Sequence, residues 1–327
     1  MSEALHAAIG TTGQAVWFSR DGGETWSRTP ANAGLYVESR VYNVVAARSL
    51  PGDFYAATDS GVYRWSETDK RWSHSPSAFD ASSTWALACS PDNPDLVFAG
   101  TGGAEGIGVY RSFDSGKSWE TIKLGDSYVP MDPVMAFTSR PRVTTIAFDP
   151  DDSKIVWVGI EIGGIFRSGD GGNTWARMKG LASEDIHGIL PLGSGLVLAT
   201  TNVGLLRSED EGASWKKIEI VTPRPFMRGI AMIPGKPGQI IMTNGGGAPG
   251  DWGRLLRSND YGQTWDEILL PGKTNSTMWC LSVHPQHPNH ILACSVLGQI
   301  YRSQDAGESW IKLPRELNET RTVTWVP

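Results

Sequence analysis

The chain has little of three things. Its 327 residues include three cysteines (Cys89, Cys280 and Cys294) and only 29 lysines and arginines against 35 acidic residues. No apolar run approaches the roughly 18 residues that a membrane-crossing helix needs, so nothing is expected to span a bilayer that way. Three widely spaced cysteines supply neither a disulfide framework nor a close metal-ligand spacing, and they read as reduced, buried small side chains rather than a catalytic thiol. A net charge of -6 offers no basic face for phosphate neutralisation, so no nucleic-acid partner is expected. The opening MSEALHAAIGTTGQAVWF lacks a basic stretch followed by an apolar core, so no export signal is expected and a cytoplasmic location suits the thiols.

What the chain does have is 38 glycines, 14 tryptophans and one recurring segment. The segment reads Ser, any, Asp, any, Gly, any, Thr or Ser, Trp, as in Ser168-Gly-Asp170-Gly-Gly172-Asn-Thr174-Trp175. Copies stand at residues 19–26, 112–119, 168–175, 208–215, 258–265 and 303–310, and a degenerate one ends at Trp72. Their tryptophans are 46, 47, 56, 40, 50 and 45 residues apart, the spacing of a unit of four short strands. Within each unit an apolar run ending in Arg-Ser, such as Gly108-Val-Tyr-Arg-Ser112, precedes the box as a third strand. A second strand such as Leu196-Val-Leu-Ala-Thr-Thr201 precedes that, and a first strand such as Trp279-Cys-Leu-Ser-Val-His-Pro285 runs into a Pro turn. The fifth-position Gly suits a positive φ, and the Ser and Asp oxygens suit turn N–H groups, so the box is read as a turn fastener. A calcium-loop reading lacks the remaining carboxylates.

The expected fold is therefore all-β: a seven-bladed β-propeller of four-stranded antiparallel blades, residues 1–327 forming a single domain. Residues 4–28 supply only three strands, whereas Arg321-Thr-Val-Thr-Trp-Val326 is a lone strand at the other end, so the C-terminal strand should close the first blade and remove an open edge. The box and its spacing resemble the Asp-box, or bacterial-neuraminidase-repeat, propellers, which include sialidases, sortilin-type domains, xyloglucanases and photosystem-assembly factors. The resemblance covers essentially the whole chain and implies architecture, not function. It departs from the standard sialidase pattern, because no Arg-Ile-Pro stands near the start and the unit count is seven rather than six. It also departs from the xyloglucanases, whose cleft lies between two propellers.

Ligand chemistry is expected on the face opposite the boxes. Aligned on their central aliphatic residue, the first strands place Tyr42, Trp85, Thr144, His187, Arg228, Trp279 and Arg321 at one equivalent position. Arg40 and Arg142, each two residues before a ring member, extend the basic character. Such a ring suits a small anionic, planar or carbohydrate ligand, with Arg40, Tyr42, Trp85, Arg142, Arg228, Trp279 and Arg321 binding. His187, Asp185 and Glu161 are the candidate acid/base groups, with Glu38 and Glu105 as further carboxylates on that face; glycosidic hydrolysis would need two carboxylates, one of them kept protonated. Local turn bonds and solubility explain lone loop carboxylates as well. Inserts at 123–142 (Tyr128, Met131, Asp132) and 243–254 (Asp251, Trp252) are candidate lids or docking loops. The run His284-Pro-Gln-His287-Pro-Asn-His290 is read as a Pro-rich turn, not a metal site, and neither a metal nor a cofactor is expected. Three readings stay open: a small-ligand binder, with or without hydrolase- or lyase-type chemistry; an assembly scaffold for a protein partner; and a glycoside-hydrolase-like carbohydrate module stacking sugars on Trp85 and Trp279.

Overall fold

A computed structural model describes residues 5–103, 106–125 and 141–326. Glu105 and most of the longer insert, including Tyr128, Met131 and Asp132, lie outside the described residues. No helix occurs among the described residues, and none is therefore long and apolar enough to cross a membrane.

The chain forms short antiparallel strands in groups of four. The N-terminal strands β1 (His6–Thr11), β2 (Val16–Ser19) and β3 (Ser27–Arg28) pair in order, and β28 (Thr320–Val326) adds to the free edge of β1, giving the order β28-β1-β2-β3. The expected closure by the C-terminal strand is present, with Ile9 opposite Val323. Four more four-stranded sheets run from β4 (Val41–Ala46), β16 (Ile186–Gly193), β20 (Phe226–Met232) and β24 (Met278–Val283). The remaining sheet has eight strands. It contains β8 (Ser83–Cys89) to β11 (Glu120–Ile122) and β12 (Arg142–Phe148) to β15 (Ala176–Arg177), joined through the single pair Arg142 and Gly102. The innermost strands β28, β4, β8, β12, β16, β20 and β24 each touch the next, and β24 returns to β28, so they close a ring.

Side chains tie neighbouring sheets together near these inner strands. Thr144 Oγ1 donates to the Ile186 carbonyl (2.6 Å), Thr200 Oγ1 to the Arg228 carbonyl (2.6 Å), and Trp325 Nε1 to the Ser282 carbonyl (3.1 Å). Between neighbouring sheets lie apolar layers that alternate along each strand with its other face; one, for example, packs Trp157, Ile165, Ile186, Ile189 and Leu206. Stacked sheets bury apolar area on both faces, which accounts for the fully buried second strands such as Ile240–Gly245.

The repeated box is a turn fastener. In the copy at 168–175, Ser168 Oγ donates to Asp170 (2.7 Å) and accepts from Gly172 N (2.8 Å), while Asp170 accepts from Thr174 N (2.9 Å) and Thr174 Oγ1 (2.7 Å). Trp175 Nε1 then donates to the Gly172 carbonyl (3.0 Å). These bonds hold two successive residues at positive φ, not one: Glu211 at 57° and Gly212 at 84°, for instance. The second must be Gly for a further reason. A Cβ on Gly212 would come 2.9 Å from the Trp157 ring, and one on Gly172 2.9 Å from Phe98, each on the second strand of the preceding unit. The box turn thus seats on its neighbour.

The arginine of the Arg-Ser run makes the reverse contact. Arg111 donates to the Gly171 carbonyl (2.6 Å), Arg207 to Tyr261 (3.3 Å), Arg302 to Gly22 (3.1 Å), and Arg257 to Gly307. Each reaches the box of the following unit and fills a carbonyl lone pair that a turn leaves open. The first unit has Phe18 in place of that arginine. There the next box is degenerate, and Phe18 packs on Phe54 (centroids 4.9 Å) and Trp65 (5.3 Å) instead.

Candidate functional site

The seven equivalent residues of the inner strands line one cavity of about 260 Å³ at the axis: Tyr42, Trp85, Thr144, His187, Arg228, Trp279 and Arg321. The reason is a feature that hydrophobic alternation does not reveal. Every inner strand carries a register shift at this residue: Val41 and Asn43 pair with consecutive partners Thr58 and Ala57, leaving Tyr42 extra, and Thr84 and Ala86 leave Trp85 extra. The same holds at Thr144, His187, Trp279 and Arg321, and at the pair Arg228-Gly229 opposite Thr243. A β-bulge turns its extra side chain out of the pleat, and here each one turns towards the axis.

The cavity wall is built from cations layered on aromatic rings. Tyr42 stacks on Trp85 with centroids 3.8 Å apart, and the Arg142 guanidinium lies 4.4 Å from the Trp85 centroid, so both faces of Trp85 are covered. Trp279 is flanked by Arg228 at 3.8 Å and Arg321 at 4.6 Å. Arg142 is held by Glu161 through two bonds, Nε to Oε2 (2.7 Å) and Nη2 to Oε1 (2.8 Å), and Arg321 pairs with Glu319. Arg228 is different: among the described residues it has cation–aromatic neighbours but no hydrogen-bonded or ion-paired carboxylate. Burial pulls its pKa down to about 9, with Glu161 and Asp185 opposing that shift and Arg142 and Arg321 adding to it. It is a cation at neutral pH, and its charge is uncompensated by direct contact.

His187 and Asp185 do converge with Glu161: one ligand-type atom from each lies within 4.8 Å of the others. This is metal-like geometry that sequence spacing did not signal, the three coming from different strands and a loop. The surroundings oppose a cation, because Arg142 takes both Glu161 oxygens and three guanidinium groups share the cavity wall. The acid/base reading of His187 is also opposed. Its side chain is 1% exposed, its Nδ1–H donates to the Met227 carbonyl (2.6 Å), and its Nε2 lies 3.4 Å from Asp185 Oδ1. Both ring nitrogens face the protein. Burial and the Arg228 charge lower its pKa, outweighing Asp185 and the Met227 carbonyl. Burial would raise Asp185, but His187, once protonated in acid, and the charges of Arg228 and Arg142 outweigh it and leave the group below its ordinary value. Asp185 is thus not held as the protonated acid that glycosidic hydrolysis requires, and both Glu161 oxygens are taken by Arg142.

Arg40 does not join the cavity. It is exposed before β4, where its backbone bridges to Thr12 and exchanges bonds with Asp59, and it is not among the residues that line the cavity. Glu38 is exposed as well and accepts from Tyr36 Oη (3.0 Å). The 243–254 insert is pinned, not free: Thr277 N donates to Pro249 O (2.9 Å) and Thr277 Oγ1 to Gly247 O (2.6 Å). The His284 run forms the expected turn, with His284 Nδ1 accepting from His287 N (3.0 Å). Sequence alignment missed Phe226, whose ring lies 4.7 Å from His187 and 6.3 Å from Trp279, and Glu319, which pairs Arg321; both sit two residues before a ring member, the offset that had pointed to Arg142.

Residues 17–28 match the BNR/Asp-box repeat, and residues 202–326 match the family described as Sortilin, neurotensin receptor 3. Among curated proteins, a xyloglucanase of Paenibacillus sp is 24% identical over 88% of this chain and 32% of its own length. The chain spans about a third of the length of the curated xyloglucanases it matches. Among solved structures, the GH74 xyloglucanase from Xanthomonas campestris matches with TM-score 0.65 at 22% identity, over 88% of this chain and 46% of that one. YCF48 bound to D1 peptide matches with TM-score 0.60 at 16% identity, over 84% of this chain and 80% of that one. Such identities speak for the fold alone. With the recurring box, they make the chain a β-propeller of the BNR/Asp-box type.

Proposed function

We propose that this BNR-type propeller is a binding protein whose axial cavity takes a small anionic group, a carboxylate or phosphate, on Arg228. The observation that carries this reading is the guanidinium of Arg228, held against Trp279 with no carboxylate of its own among the described residues, while Arg142 and Arg321 each have one. A buried cation beside two others is costly when empty, and an anion relieves it. The cavity of about 260 Å³ is at the small end for ligand sites, so it suits a small acid or the acidic tip of a larger molecule. We also infer seven blades, taking the eight-stranded sheet as two four-stranded blades joined at one residue pair; the ring of bulged inner strands supports this count.

A carbohydrate role, suggested by the xyloglucanase relatives, fits less well. Sugar stacking needs an open aromatic face, whereas Trp85 is covered on both sides and Trp279 is flanked by two guanidinium groups. An assembly role draws on the peptide complex of YCF48, and a chain-terminal carboxylate of a protein partner would use the same Arg228. Isothermal titration against small carboxylates, phosphate esters, carboxyl-terminal peptides and xyloglucan oligosaccharides separates these readings. Acids or peptides should bind, and Arg228→Ala should weaken them at least about tenfold, near 1.4 kcal/mol, with the circular dichroism spectrum unchanged. Binding of oligosaccharides alone, or acid binding indifferent to Arg228→Ala, rejects the proposal.

A further inference from the structure

Two of the three cysteines stand together. Cys280 on β24 and Cys294 on β25 (Ile291–Ser295) are direct partners across the antiparallel ladder, in the register that resumes after the Trp279 bulge. Directly opposed residues point to the same face, with Cα atoms about 4.5 or 5.5 Å apart, and both spacings lie within the roughly 4.4–6.8 Å that a disulfide spans. The two thiols are free. Cys294 is fully buried between the sheets, against Ile300, Val323 and Trp325, whereas Cys280 is half-buried and lines the axial cavity. One thiol of the pair therefore meets whatever enters the cavity, and the other waits behind it. The third cysteine, Cys89, lies on β8 with no cysteine opposite it; its partner there is Val97.

We propose that Cys280 and Cys294 are a peroxide-oxidisable dithiol, Cys280 the attacking sulfur and Cys294 the resolving one. The Cys280 sulfur attacks a hydroperoxide oxygen, breaking the O–O bond; the leaving oxygen takes the thiol proton, and Cys280 becomes a sulfenic acid. The Cys294 sulfur then displaces that hydroxyl, which leaves as water with the Cys294 proton, and the S–S bond forms. Two thiols are oxidised by two electrons, and one peroxide is reduced to an alcohol, or for hydrogen peroxide to a second water. The bond would join β24 to β25 next to the bulge that carries Trp279.

The folded, reduced protein is treated with hydrogen peroxide, then denatured, alkylated with iodoacetamide and analysed by mass spectrometry. The expected product is two hydrogens lighter, takes one alkyl group in place of three, yields a linked peptide pair containing Cys280 and Cys294, and reverts with dithiothreitol. Cys294→Ser should instead accumulate a dimedone-trappable sulfenic acid at Cys280, and Cys89→Ser should leave the linkage intact. Three alkylated cysteines in the treated wild-type protein, a linkage through Cys89, or oxidation of Cys280 to the sulfinic acid without linkage each overturn the assignment. Because the wild-type measurement alone decides it, failure of a variant to fold does not rescue the proposal.

Discussion

At the residue scale, the axial cavity is governed by which charged groups have partners. Arg142 and Arg321 are neutralised by Glu161 and Glu319, and the burden falls on Arg228 and the His187–Asp185 contact. His187 is held neutral: its folded pKa lies below the ordinary 6.5. Above that value neither folded nor unfolded chain binds the proton and nothing is lost. As pH falls below 6.5 the unfolded chain takes up the proton first, so stability declines until the lowered folded pKa is passed. His6 and His290, lowered in the same direction by burial, contribute to the same slope. Thermal melts between about pH 7 and 5 should show the wild-type midpoint falling with acid and His187→Gln falling less steeply. Equal slopes would mean that His187 is not the buried neutral tie described. Of the ring residues, Tyr42, His187, Arg228 and Arg321 were legible because aligned first strands repeat one offset; Phe226 and Glu319 share the offset of Arg142, but an aromatic ring and a carboxylate there do not extend the basic character by which that offset was read.

At the element scale, the box and the arginine before it form one two-part joint between neighbouring units. The box carboxylates sit at the ends of several N–H and O–H donors, which holds Asp170 and Asp114 at about 2. Their contribution is present above the ordinary carboxylate value and is lost only as pH falls through about 2. The arginine half is the better target at neutral pH. Arg302 is 5% exposed and crosses to the Gly22 carbonyl and Glu24, so Arg302→Ala should cost about 1–3 kcal/mol in urea unfolding. Arg177→Ala, which removes an exposed pair with Glu184, should cost less than about 1 kcal/mol. If the two variants unfold at the same urea concentration, the arginines of the third strands are not joints but surface charge. The box turn was readable as a turn from its Ser, Asp and Gly; that it also seats on Phe98 or Trp157 of the preceding unit was not, since nothing local specifies a neighbour.

At the scale of the whole molecule, closure matters more than any single contact. The strand β28 completes the first sheet and belongs to the ring of inner strands, and it contributes Arg321 to the cavity wall. Removing residues 320–326 leaves β1 as an open edge with unpaired N–H and C=O groups and takes away Val323 and Trp325 from a buried layer. The truncated chain should lose the single cooperative unfolding transition and aggregate during purification, as read by light scattering. A truncated chain that stays monomeric with one sharp transition would show that the ring does not depend on this closure.

The sequence by itself determined the β class, the four-strand unit, the closure of the first sheet by the last strand and the equivalence of the ring positions, because all of these follow from a repeat, and a repeat is local information copied along the chain. Only the tertiary structure decided what those positions do. The bulge that aims each ring residue depends on how one strand pairs with the next; the occupancy of Trp85 by Tyr42 and Arg142, the lone charge of Arg228 and the juxtaposition of Cys280 with Cys294 depend on side chains meeting from different strands. Pairing register and inter-sheet contact are set by packing and by charges brought together in a low-dielectric wall, and neither is written in the spacing of residues along one strand.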